Sequence, residues 1–180
     1  VILPKKTNNL LVPVAISASR VGFASIRMEP TWMALGEAAG AAAVESLVQN
    51  KNPENINVIK LQQQLHNHGA ITFYTSDIKS GTKYFQAVQF LGNRGFFQHL
   101  YPDSLQVEPG EHITKYVVGA FTLHDISPEK ILSDKLKSAW MEMAEKKFGM
   151  NAAKINRIAK SSKTRGDFIL AVYQATNEKN

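Results

Sequence analysis

The sequence predicts a mainly α-helical chain, in which a short strand-and-helix piece comes first and an all-α domain of two helical repeats follows. A continuous apolar run of strand length over residues 10–16 precedes a long segment rich in Ala and Gly over residues 30–49. Beyond residue 76 the dipeptide Asp77-Ile78 recurs as Asp125-Ile126, and apolar residues at helical spacing follow each copy. The short run therefore indicates a strand, whereas the longer segment and the recurring patterns indicate helices.

The first 75 residues are expected to form one domain. Continuous rather than alternating hydrophobicity over 10–16 is typical of a strand that is buried on both faces. The helix over 30–49 begins with Pro30, which is tolerated in a first turn because its missing N–H would be unpaired there. Gly36 and Gly40 lie four residues apart and leave a stripe that another backbone can approach closely. A second helix follows and ends near Gly69, a plausible C-cap.

Residues 76–180 are expected to form the second domain, made of repeats at about 77–121 and 125–175. Each repeat is predicted as a helix, a loop and a helix that begins at a threonine, Thr114 in the first and Thr164 in the second. A threonine hydroxyl can accept an otherwise unpaired N–H of the first helical turn. Asp167 then places a negative charge at the positive end of the last helix.

Composition excludes several classes of function. The 180 residues include no cysteine, so disulfides, thiolate metal sites and cysteine nucleophiles are excluded. No stretch approaches the roughly 18 consecutive apolar residues of a membrane span. The net charge is +6, but the basic residues are dispersed among acidic ones. We therefore expect neither a membrane nor a nucleic-acid partner.

The histidines of this segment and the two tryptophans are predicted to have structural roles. His66 and His68 are two residues apart on a predicted helix, where side chains do not meet. They are expected at the surface, and no metal site is predicted. Trp32 and Trp140 are expected in the core. The chain begins with Val1 rather than Met, which suggests a piece of a longer protein and leaves its localisation unknown.

Three short motifs in residues 10–44 carry a resemblance to a known family. They are Ser17-Ala-Ser19, Ser25-Ile-Arg-Met-Glu-Pro30 and Met33-Ala-Leu-Gly36-Glu-Ala-Ala-Gly40. In this order and spacing the segment resembles the C-terminal, FAD-contacting part of a family of bacterial FAD-dependent oxidoreductases. That family has a glutathione-reductase-like fold, and some of its members carry the label "xanthan lyase-like".

The resemblance implies FAD as the cofactor of a full-length parent, with hydride passing through N5 of the flavin. It also implies which residues contact the flavin, while it assigns no acid or base. The implied contacts are Ser17, Ser19, Arg27, Pro30, Thr31, Trp32 and Met33. The first turn of the helix over 30–49 would point unpaired N–H groups and a partial positive charge at the flavin.

The glycine-rich turn that holds the FAD pyrophosphate in this family is absent from these residues. We therefore expect that the isolated chain binds no FAD and is catalytically inactive. Its expected partner is the missing N-terminal, FAD-binding part of the same protein. An apolar surface cut from its sheet would also favour self-association, or packing on the helical repeats.

The second domain resembles S-layer homology repeats, small helical units of which some bind cell-wall glycans through a Thr-Arg-acidic motif. The resemblance places such a motif at Thr164, Arg165 and Asp167, whereas the first repeat has Thr114-Lys115. The alternative function is therefore a module that binds a glycan or another subunit. A packing appendage is the favoured role for these repeats.

Overall fold

The chain is mainly α-helical, as predicted. A computed structural model describes residues 3–4, 6–14, 16–97 and 125–177. The helices of this part of the chain are α1 (Arg20–Ile26), α2 (Glu29–Gln49), α3 (Val58–Asn67), α4 (Phe85–Gly92), α5 (Asp134–Phe148), α6 (Ala152–Ser161) and α7 (Arg165–Asn177). None of these described helices is both long enough and apolar enough to cross a membrane.

The predicted strand over residues 10–16 is wrong. In the described part of this segment the backbone forms no strand, and Leu10 and Val14 are 44% and 48% exposed. A strand needs a neighbour to pair its N–H and C=O groups. Among the described residues of the first 70, no second strand supplies that pairing. Apart from a β-bridge at Val12, the described part of the apolar run therefore lies as irregular chain.

The chain divides into two compact units, Val1–Ala70 and Ile71–Asn180, which are called the first and second unit below. Gln89 shows why residues just after 70 belong to the second unit. Its side-chain Oε1 accepts the backbone N–H groups of Thr72 and Phe73, each at 2.7 Å, and its Nε2 donates to the carbonyl of Phe73 at 2.8 Å. This amide is buried in α4 and holds Thr72 and Phe73 against that helix.

In the first unit α2 packs against α3, and a buried carboxylate joins them. Glu45 on α2 is 5% exposed and accepts hydrogen bonds from Gln49 on its own helix and from Gln64 on α3, the latter at 2.8 Å. The bond from Gln49, followed by the one from Gln64, lowers the pKa of Glu45. Both carboxylate oxygens are therefore paired at the helix–helix contact.

The two histidines of α3 and its C-cap lie in different environments. His68 is exposed, as predicted, whereas His66 is 2% exposed and its predicted surface position is wrong. The sequence pattern missed this because α3 turns position 66 toward the protein interior while the apolar Val58 is 57% exposed. The two side chains thus lie on different faces of the helix.

The core of the second unit is a cluster of aromatic rings around Trp140. This side chain is fully buried, which confirms its predicted core position. Its ring centroid lies 5.5 Å from that of Phe96, 5.8 Å from Phe97 and 5.9 Å from Phe168. Aromatic pairs at such distances add stabilisation beyond burial of their area. Trp32, in contrast, is only half-buried on α2.

The two copies of the Asp-Ile dipeptide lie next to each other. The carboxylate of Asp77 accepts the backbone N–H of Ile126 at 3.0 Å and that of Ser127 at 2.6 Å.

The segment 149–163, predicted as a loop in the second repeat, contains helix α6, so that part of the repeat prediction is wrong. Asn151 starts this helix by accepting the N–H of Lys154 at 2.8 Å. Thr114 lies outside the described residues, and the repeat architecture stays a prediction.

Candidate functional site

Helix α1, which the sequence reasoning missed, separates the predicted flavin contacts. Ser19 is its N-cap, and the hydroxyl accepts the backbone N–H of Gly22 at 3.1 Å. Ser17 precedes the helix and is exposed. Seven residues follow Ser19 in the helix, so Arg27 at the far end lies roughly 12 Å away along the axis. A serine at an N-cap position was the one signal that could have indicated this helix.

The remaining predicted contacts lie together where α1 meets α2. We call residues 27–33 the junction site. Arg27 is the C-cap of α1, and its backbone N–H donates to the carbonyl of Phe23 at 3.0 Å. Its side chain is exposed, and among the described residues it makes no ion pair. The guanidinium is thus available for a carboxylate or phosphate, which it can bind through two parallel N–H groups.

Helix α2 begins at Glu29 and runs to Gln49, which confirms the helix predicted over 30–49. Fewer N–H groups of its first turn are unpaired than the sequence predicts. Pro30 has no N–H, and the N–H groups of Thr31 and Trp32 both donate to the carbonyl of Met28, at 2.9 and 3.2 Å. The prediction that this turn points unpaired N–H groups outward is therefore wrong for Thr31 and Trp32.

The junction site also contains a negative charge that offsets the positive end of the α2 dipole. Glu29 places a carboxylate in the first turn of α2, where it complements the positive end of the helix dipole. Met28 and Met33 are 52% and 75% exposed and give the surface an apolar character. The site can therefore contact a flat apolar ring and pair one anionic group through Arg27. Its chemistry is that of binding and positioning.

Among the described residues, no group of three or more His, Asp or Glu side chains is arranged to hold a metal ion.

The predicted glycan residues at the start of α7 all take part in contacts of the fold. Asp167 accepts the backbone N–H groups of Lys163 and Thr164, at 3.1 and 2.9 Å, while its own N–H donates to the Thr164 hydroxyl at 3.1 Å. This reciprocal pair is a capping box. Arg165 donates to the carbonyl of Ile126 at 2.9 Å. These contacts support a packing role, and glycan binding stays a prediction.

The capping box gives a pH-dependent test. The hydrogen bond from the backbone of Thr164 lowers the pKa of Asp167 below its ordinary value of 3.8. The carboxylate therefore stabilises the fold above that value, and this contribution is lost as pH falls through the depressed pKa of the folded state. We expect Asp167→Asn to destabilise the second unit by about 0.5–1 kcal/mol at neutral pH and to have almost no effect at about pH 2. Urea unfolding of both proteins at the two pH values measures this, and an equal difference at both would contradict it.

Comparison with known proteins finds a family match within the first unit. Residues 1–65 match the family of FAD dependent oxidoreductases. The match includes α1, the junction site and α2, and it ends within α3. It supports the interpretation of this segment as part of a flavin-dependent oxidoreductase whose cofactor in the parent is FAD. No curated protein and no solved structure matches the chain.

Proposed function

We propose that the first unit is the C-terminal part of the flavin-binding domain of an FAD-dependent oxidoreductase, with the junction site lying against the flavin in the full-length enzyme. The observation that carries this proposal is the family match over residues 1–65, which spans an exposed junction site. FAD would supply the hydride transfer through its N5. The residues of this chain would bind the cofactor and orient it.

In this proposal the side chains of the junction site have distinct roles. The exposed guanidinium of Arg27 would pair with an anionic group of the cofactor. Met33 would contact the ring system, since it offers an apolar side chain that is 75% exposed. Pro30, Thr31 and Trp32 would form the turn beneath it.

Ser17 and Ser19 would contact a different part of the same cofactor, because α1 separates them from Arg27. The hydroxyl of Ser19 already accepts the N–H of Gly22, yet it retains its own proton as a hydrogen-bond donor. An extended dinucleotide could reach from these serines to the junction site.

We further propose that the isolated chain neither retains FAD nor catalyses a reaction. The matched segment has no glycine-rich turn, and two N–H groups of the first α2 turn are used within the helix start. A pyrophosphate therefore lacks the backbone cradle that such domains need. The partner that would supply it is the FAD-binding part of the same protein.

The experiment compares FAD binding by the chain and by the full-length parent. Equilibrium dialysis and visible spectra should show a yellow parent and no stoichiometric FAD on the purified chain. In the parent, Arg27→Ala should weaken FAD retention by about 10-fold or more, since a hydrogen bond to a charged group contributes about 1.5–3 kcal/mol.

Arg157→Ala is the control, because Arg157 is also exposed but lies on α6, outside the matched segment, and it should leave FAD retention unchanged. A colourless parent that ignores added FAD would disprove the flavin role. Stoichiometric FAD on the isolated chain would instead disprove only the proposal that this chain does not retain FAD.

A further inference from the structure

Positive charge is concentrated in one segment of the second unit. Between Glu145 and Asp167 the sequence has no Asp or Glu and seven basic residues, Lys146, Lys147, Lys154, Arg157, Lys160, Lys163 and Arg165. The net charge of the whole chain is +6, so the rest of the chain is slightly acidic. The expectation of no nucleic-acid partner rested on basic residues dispersed among acidic ones, and this segment departs from that pattern.

Helix α6 displays part of this charge on one side. Its inner side is buried and apolar, and consists of Ile155, Ile158 and Ala159. Asn156, Arg157 and Lys160 are exposed on the other side, because residues three and four apart share one side of a helix. We call these three residues the basic face. Neither Arg157 nor Lys160 forms an ion pair within the described part of the chain. Lys163 is also exposed, just beyond the end of the helix.

The composition of the basic face favours one class of partner. A specific protein interface has an apolar core, and the basic face has no apolar side chain. A helix that lies on a lipid surface inserts its apolar side, but that side of α6 is buried in the fold. Single-stranded nucleic acids stack on aromatic rings, which the basic face also lacks. Interfaces with duplex DNA, in contrast, are polar and strongly positive.

The connection before α6 is that of a helix-turn-helix unit. Helices α5 and α6 pack against each other and are joined by three residues, Gly149, Met150 and Asn151. Gly149 has a φ of 57°, in the left-handed region that favours glycine at the end of a helix. In such units the second helix enters the major groove of DNA. A helix with its side chains is about 10–12 Å across, and this groove is about 12 Å wide.

We propose that α6 is a docking element for duplex DNA, with the basic face in the major groove. Lys160 and Lys163 contact phosphates, which position the helix on the duplex. Asn156 and Arg157 face the base edges, where an Asn side chain pairs with adenine and an Arg side chain with guanine. This activity belongs to the second unit and does not involve the junction site.

The first experiment measures binding of the full chain to a labelled duplex of about 20 base pairs by fluorescence anisotropy, over a range of salt concentrations. Each phosphate contact contributes about −0.9 to the slope of log K against log salt, so the wild-type slope should be about −2 or steeper. Lys160→Gln/Lys163→Gln removes two such contacts. It should reduce the slope by about 2 and weaken binding at low salt by about 10-fold or more.

Lys51→Gln/Lys135→Gln is the matched control, because it removes the same charge at exposed positions outside the basic segment. It should leave binding close to that of the wild-type chain. The proposal is overturned if the duplex does not bind at low salt, or if this control loses as much affinity as Lys160→Gln/Lys163→Gln. Tighter binding to a poly-glutamate peptide or to anionic phospholipid vesicles than to the duplex also overturns it, in favour of a protein or a lipid partner.

The second experiment tests docking in the major groove. A duplex whose pyrimidines carry a bulky substituent at C5 has an obstructed major groove, because C5 lies in that groove. This duplex should bind about 10-fold more weakly than the unmodified one, and a single strand of equal length should also bind more weakly than the unmodified duplex. Equal binding of the modified and unmodified duplexes, or tighter binding of the single strand, contradicts the proposed docking.

Discussion

Replacing Trp140 with alanine is expected to destabilise the second unit by about 3–5 kcal/mol. Its ring is fully buried and contacts Phe96, Phe97 and Phe168, so removing it leaves a large cavity among aromatic side chains. The rings cannot collapse into this space without leaving their present contacts. The measurement is the protection of the α5 and α7 backbone amides against hydrogen exchange in native conditions, which resolves the second unit from the first.

Trp140→Phe is the matched control for this prediction. The indole Nε1 is buried and has no hydrogen-bond partner among the described residues, and an unpaired buried donor carries a penalty of about 1–3 kcal/mol. Phenylalanine keeps an aromatic ring and removes that donor. We therefore expect the stability of Trp140→Phe to lie within about 1.5 kcal/mol of wild type. Equal losses for both variants would contradict the cavity explanation.

Gly92→Ala is expected to destabilise the second unit by about 1–3 kcal/mol, the usual range for overpacking a filled site. A Cβ at position 92 would lie 2.3 Å from two ring atoms of Phe73. The ring cannot move freely, because it packs against Phe97 with centroids 5.8 Å apart and its backbone is held by Gln89. Hydrogen exchange of the α4 amides measures the loss.

Gly40→Ala, in contrast, is expected to stabilise the first unit. No described atom lies within 4 Å of a Cβ placed at Gly40. In a helix interior, alanine is more stable than glycine by about 0.8–1 kcal/mol. The comparison is with the otherwise unsubstituted chain. Exchange of the α2 amides should then slow in Gly40→Ala. A loss of stability at both glycines would show that close packing does not distinguish them.

The helices with strong local signals could be predicted from the sequence. Helix α2 was predicted because Pro30 fits a first turn and an Ala-rich run follows it, and both are properties of the segment itself. The core position of Trp140 was predicted from its place on an amphipathic helix. In each case the local pattern and the final environment agree.

The features that the sequence did not predict depend mostly on contacts with other parts of the chain. Residues 10–16 have the composition of a buried strand, but strand formation needs a pairing partner that the described part of the first unit lacks. Helix α1 is short and has little apolar periodicity, so only its N-cap residue, Ser19, indicates this helix in the sequence. The burial of His66 depends on how α3 packs in the fold. Thr31 and Trp32 direct their N–H groups to one carbonyl, which composition does not show.

The clamp formed by Gln89 bears on where the two units can be separated. Its amide satisfies three backbone groups of Thr72 and Phe73, and it is buried within α4. Severing the chain after residue 75 would strip this amide of those partners and would also remove the ring that fills the space at Gly92. Severing it between Ala70 and Ile71 preserves both. The residues just after 70 thus cover part of the aromatic core, and the second unit is complete only when they accompany it.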